Sequence, residues 1–144
     1  MIRTGFPESP SVPVFAFPLA GVRVLVVDDT PDSLDLLTVL LRIHGAAVRT
    51  ALSAYEAFDL FSAESPDVLI SDIGMPGENG YSLLRKVRTL EAHEDRVRTP
   101  AVALTGYAHA EERAESLAAG FQAHVAKPVD PEDLVMLVQT LVRG

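Results

Sequence analysis

The chain has 144 residues, of which 48% are hydrophobic, so it suits one domain with a full core. A net charge of −8 argues against nucleic acid and anionic membrane surfaces as partners, and the absence of cysteine excludes disulfides and thiolate metal sites. No apolar stretch approaches the roughly 20 residues that cross a bilayer, and Pro7, Pro10, Pro13 and Pro18 interrupt any leader-like run, which gives a cytoplasmic expectation.

Residues 1–20 hold four of the ten prolines and show no helical or strand period. This segment reads as an extended lead, with the domain expected over 21–144. Val12, Val14, Phe15, Phe17 and Leu19 leave two readings open, a linker or expression remnant and a segment that docks on the domain. From residue 22, strand-length apolar runs alternate with helical patterns. The first strand, 22–27, leads to Thr30 as cap and Pro31 at N1 of a helix striped by Leu34, Leu37 and Leu41, which stops before Gly45. A strand at 47–51 precedes a helix marked by Ala54, Ala57, Phe58 and Phe61. The third strand, 67–71, precedes a glycine-containing loop and a helix with Leu84, Val87 and either Leu90 or Glu91 inward. The fourth strand, 100–104, leads to a helix striped by Ala114, Leu117 and Ala118 and ended at Gly120. A last strand, 122–126, precedes Asp130 as cap, Pro131 at N1 and a stripe of Leu134, Leu137, Val138 and Leu141.

Five such βα pairs define an α/β fold around a parallel sheet. Strands one, three and four are continuously apolar, as strands covered on both faces are, whereas AVRTA and QAHVA carry polar residues and belong at the edges. The predicted architecture is a doubly wound five-stranded parallel sheet of order 2-1-3-4-5, flavodoxin-like.

Polar side chains then stand at the carboxyl ends of four strands: Asp28 and Asp29, Asp72, Thr105, and Lys127. In such sheets these ends line one crevice, where ligands bind. Taken singly, each residue has an ordinary explanation as a turn, cap or strand-end residue. Together, the carboxylates suit a hard cation such as magnesium. A carboxylate also attacks phosphorus to form an aspartyl phosphate, and the transferring group mainly needs positioning and charge neutralisation. The loop over 74–80 lacks the GxxxxGK[ST] phosphate cradle, no GxGxxG follows the first strand, and the DxDx[TV] pattern of haloacid-dehalogenase phosphatases is missing.

The runs LVVDD, SDIGMPGENGYSLL, ALTGYA and AKP over about residues 22–142 closely resemble the receiver domain of bacterial two-component response regulators, in style nearest to the C-terminal receivers of hybrid sensor histidine kinases. The resemblance implies that Asp72 is the phosphoacceptor, charged from a phosphohistidine on a sensor histidine kinase or histidine phosphotransfer protein. It implies magnesium held by Asp29 directly, by Asp28 through water, by Asp72 and by the Gly74 carbonyl. Thr105 becomes the switch hydroxyl, Lys127 the counter-ion, and the Lys127-Pro128 bond is expected to be cis. The chain then acts as a switch or relay that assists its own phosphorylation and dephosphorylation, with a partner face on the fourth helix, fifth strand and fifth helix. Its alternative is a pseudo-receiver that binds partners without phosphorylation. One departure stands out: His124 occupies the position where the family usually has Tyr or Phe. The imidazole is then a smaller planar switch group, titrating near its ordinary value of about 6.5, or a passive edge-strand residue. Gly74 gives the phosphoryl group no side-chain cover, whereas Tyr107 is bulky enough to hinder water there.

Overall fold

A computed structural model describes residues 17–106 and 110–143. Tyr107, His109 and residues 1–16 of the lead segment lie outside the described residues. The elements run β1 (Arg23–Val27), α1 (Pro31–Ile43), β2 (Ala47–Ala51), α2 (Ala54–Ala63), β3 (Val68–Asp72), α3 (Gly80–His93), β4 (Ala101–Thr105), α4 (Ala110–Ala119), β5 (Ala123–Ala126) and α5 (Pro131–Arg143). The strands form one parallel sheet of order β2-β1-β3-β4-β5, as the distribution of polar residues predicts. No helix among the described residues is long and apolar enough to cross a membrane.

Strict alternation along the central strands explains why they are apolar throughout. Leu25 and Val27 face one core with Phe61, Leu84 and Val87 from α2 and α3, whereas Val24 and Val26 face a second with Leu37 and Leu41 of α1 and Leu134 of α5. β3 and β4 are buried at every position, while β5 is nowhere fully buried, as befits an edge.

Two strands end one residue later than the sequence pattern indicates. Asp72 pairs with Leu104, and Ile73 donates its amide to the Leu104 carbonyl at 3.1 Å, so the ladder runs through both Asp72 and the end of β4. Asp72 and Thr105 are therefore the last residues of rigid strands, not the first residues of loops. At the other end of β3, the Asp67 carboxylate accepts the Arg23 amide at 2.8 Å, and the strand begins after it.

The helix boundaries differ from the expectation at one cap. Thr30 stands at the N-cap of α1 but makes no side-chain capping bond; Asp28 Oδ1 instead accepts the Thr30 amide at 2.9 Å. Asp130 caps α5 as expected, accepting the Asp133 amide at 3.1 Å. Gly45, at φ +101°, lets the chain leave α1 where a side chain would strike Phe17 and the Ala20 backbone.

The stripe expected for α4 is corrected. Leu117 is 65% exposed, and Ala114 and Ala118 are exposed too; among its described side chains the inward ones are Ser116 and Ala119. The inward positions carry small side chains, one of them polar, which apolar periodicity does not single out. The Ser116 hydroxyl is left buried without a hydrogen-bond partner, a cost of about 1–3 kcal/mol. In α3 the choice between Leu90 and Glu91 falls to Glu91. Its carboxylate is buried because Arg88 Nη1 and the Thr99 amide each donate to it at 2.7 Å.

Packing also reaches back before Gly21. Leu19 is fully buried in the α1/α5 core, its amide donates to the His44 carbonyl at 2.8 Å, and Gln139 donates to the Pro18 carbonyl at 3.3 Å. Leu19→Ala is expected to lower the unfolding free energy by about 2–4 kcal/mol in urea titration. An unchanged midpoint would show that these residues contribute nothing to the core.

Candidate functional site

The parallel ladders bring the ends of β1, β3 and β5 together, and with them Asp28, Asp72 and Lys127. The Lys127 ammonium lies 3.2 Å from Asp28 Oδ2 and 3.4 Å from Asp72 Oδ2, between the two carboxylates. Asp28 is fully buried and spends both oxygens within the protein, Oδ1 on the Thr30 amide and Oδ2 on Lys127. Asp29 is partly exposed and joins the group: carboxylate oxygens of Asp28, Asp29 and Asp72 all lie within 4.8 Å of one another. Three oxygen donors at this spacing, one of them open to water, fit a small hard cation.

Electrostatics make the cluster receptive. Burial pushes the Asp72 carboxyl above the usual aspartate range; Lys127 pulls the other way, and the Asp28 charge adds to the rise. For Lys127, burial favours the neutral amine, but Asp72 and Asp28 more than offset it and hold the ammonium above the ordinary lysine value. A single cation thus faces a surplus of negative charge. A divalent ion would remove that surplus.

The loop after β3 is fixed by close approach. The Gly74 amide donates a long, weak bond of 3.4 Å to Asp72 Oδ1, leaving that oxygen largely available. A Cβ on Gly80 would come within 2.5 Å of the Asp72 carbonyl and 3.1 Å of Ile73, so only glycine allows α3 to start against the end of β3. Asn79 caps that start, its side chain accepting the Ser82 amide at 2.9 Å. Of the loop's glycines, Gly77, at φ +77°, serves the turn, while Gly80 serves this contact.

Thr105 is buried at the end of β4, and its carbonyl accepts the Lys127 amide at 2.7 Å, so the expected switch hydroxyl and counter-ion share a backbone link. The Lys127-Pro128 bond is cis, as expected. His124 pairs in register with Ala103, two residues before Thr105. Tyr107 is outside the described residues, and its role as a shield against water has no geometry here. Beside the site, an apolar groove of about 660 Å³ runs along α1 past Leu36, Val39, Leu40 and Ile43 to Lys127 and Pro128.

Asp72 yields one quantitative expectation. A carboxyl whose folded pKa is raised contributes stability only below its unfolded value and loses it as pH rises through the folded one, so ionised Asp72 opposes folding at neutral pH. Without metal, Asp72→Asn should therefore raise the melting temperature at pH 7 by roughly a few degrees and leave it unchanged near pH 3. A lower melting temperature at pH 7 would contradict this balance of burial against Lys127.

Comparison with known proteins gives consistent results. The family described as response regulator receiver domain matches residues 24–139. A 14.6 kDa protein of Leptolyngbya boryana is 46% identical over 84% of this chain and 90% of its own length. The protein PilH of Pseudomonas aeruginosa is 31% identical over 85% of this chain and 98% of its own. The sensor protein GacS of Pseudomonas syringae is 34% identical, but the chain spans only 13% of that protein's length. Among solved structures, the chemotaxis protein CheY4 of Vibrio cholerae superimposes with a TM-score of 0.78 at 30% identity, covering 85% of this chain and 99% of that one.

Proposed function

The chain belongs to the response regulator receiver family, a family of phosphoacceptor switches, and from that membership we propose that Asp72 accepts a phosphoryl group from a phosphohistidine with the help of magnesium. The observation that carries this reading is Lys127 seated between Asp28 and Asp72, at the only cluster of acidic groups among the described residues spaced to hold a metal ion.

In the proposed reaction a carboxylate oxygen of Asp72 attacks phosphorus. The new O–P bond forms as the P–N bond to the donor imidazole breaks, and the departing nitrogen takes a proton from solvent. The product is an acyl phosphate, a mixed anhydride that water later cleaves. Magnesium, when bound, neutralises charge on the phosphoryl oxygens. Asp29, the more exposed of the pair, would hold it directly, and Asp28, already engaged with Thr30 and Lys127, would hold it through water. Asp72 and the Gly74 carbonyl would be the remaining protein ligands. Lys127 transfers its attention from Asp72 to the phosphoryl group, and Thr105 donates its hydroxyl to it. Pro128 fixes the chain beyond Lys127, His124 answers the Thr105 movement on the neighbouring strand, and Tyr107 limits water.

On the same reading residues 21–144 form the receiver unit and 1–20 a lead segment, of which Leu19 packs in the core. The donor is a sensor histidine kinase or a histidine phosphotransfer protein in the cytoplasm. The output face is α4, β5 and α5, where Leu117 and Met136 are each 65% exposed. The second reading, a pseudo-receiver, is disfavoured because each group needed for phosphoryl transfer is present.

Intact mass spectrometry after incubation with a small phosphodonor provides the test. The wild type should gain one phosphoryl group in the presence of magnesium, stable in acid and lost in base, and none with chelator. Lys127→Ala should slow the gain by about tenfold or more. A magnesium-independent adduct, or none, would overturn the assignment.

A further inference from the structure

Ser116 and His124 line one cavity, of about 310 Å³, with Leu117, Phe121, Gln122 and Ala123 around it. Ser116 reaches it from α4, 1% exposed, with a hydroxyl that no group satisfies. His124 reaches it from β5. Register fixes where His124 lies relative to the switch: it pairs with Ala103, and Thr105 follows Ala103 by two residues, so all three face the same side of the sheet. That side is the one α4 covers, since Ala101 and Ala103 share a core with Ala119 and Phe121.

We propose that Ser116 is a positioning residue which hydrogen-bonds the His124 imidazole in the phosphorylated arrangement and so latches it under α4. The proposal rests on Asp72 being the phosphoacceptor. A shift of Thr105 toward the phosphoryl group frees space on the face it shares with His124, and the ring turns into that space toward the unsatisfied hydroxyl. Serine suits either tautomer of the ring, because it donates through O–H and accepts through its lone pairs. An aromatic hydrocarbon at residue 124 would fill the same space but leave Ser116 unsatisfied in both arrangements. Here the buried hydroxyl is unpaired in the resting form and paired in the phosphorylated one, so it biases the equilibrium toward the latter. A hydrogen bond gained in one arrangement alone shifts such an equilibrium by roughly fivefold to tenfold.

The test uses the full chain loaded with magnesium and beryllofluoride, with uptake verified by fluorine NMR. Imidazole nitrogen resonances of His124, assigned with His124→Phe, are compared before and after loading. In the wild type one ring nitrogen should move to a hydrogen-bonded position on loading; in Ser116→Ala it should not. Ser116→Ala should also melt higher than the wild type when unloaded, yet take up beryllofluoride roughly fivefold more weakly, a loss that disappears in the His124→Phe background. A purely structural serine would change the melting temperature and leave the loaded His124 signals alone. Identical His124 signals in loaded wild type and Ser116→Ala would overturn the latch while leaving Asp72 assigned. Failure of the wild type to take up beryllofluoride would overturn the phosphoacceptor reading and the latch with it. Should His124→Phe fail to fold, His124→Gln supplies the assignment, and the comparison of wild type with Ser116→Ala still decides the matter.

Discussion

One cation shared by two buried carboxylates governs this molecule. Lys127 sits between Asp28 and Asp72 at 3.2 and 3.4 Å, and Asp29 adds a third negative charge at the same edge. Charges this close inside a protein interact far more strongly than in water. Lys127 holds the cluster together but does not balance it: Asp72 is still pushed toward its neutral form by burial, and the Asp28 charge contributes. The resting site is therefore stable and incomplete, with a standing attraction for positive charge.

The rest of the fold keeps that tension in place. Asp72 ends a fully buried strand whose ladder with β4 continues past it, so the carboxylate cannot retreat from Asp28 by fraying. Gly80 brings α3 against the Asp72 carbonyl, closing the backbone behind it. The amide of Lys127 is tied to the Thr105 carbonyl, so a change in the β4 end is passed to the cation at once. Two cores, one on each face, hold these strand ends to a common plane.

Much of this was legible in the sequence because it depends on periodicity. Continuous apolar runs at β1, β3 and β4, with polar residues in β2 and β5, carried the strand order, and the order alone placed Asp28, Asp72, Thr105 and Lys127 at one edge. What escaped depends on distance between parts of the chain remote from each other. Ser116 faces inward and Leu117 outward, an order that hydropathy ranks the wrong way round. Glu91 is buried because Arg88 and the Thr99 amide meet it. Gly80 is needed by a carbonyl eight residues earlier, and Thr30 makes no side-chain cap while its own amide is held by the Asp28 carboxylate. Leu19 shows the same limit: a proline-rich segment gives no periodic signal even where one of its leucines completes a core.

The central claim is that the phosphoryl group arrives on Asp72 itself, not on its neighbours, with Lys127 and a bound cation offsetting the negative charge it adds. Reductive trapping tests it most directly: borohydride converts an aspartyl phosphate to homoserine, and peptide mass spectrometry locates the altered residue. After incubation with magnesium and a small phosphodonor, homoserine should appear at residue 72 alone. Homoserine at residue 28 or 29, or at no position in a chain that has gained a phosphoryl group, would contradict the account.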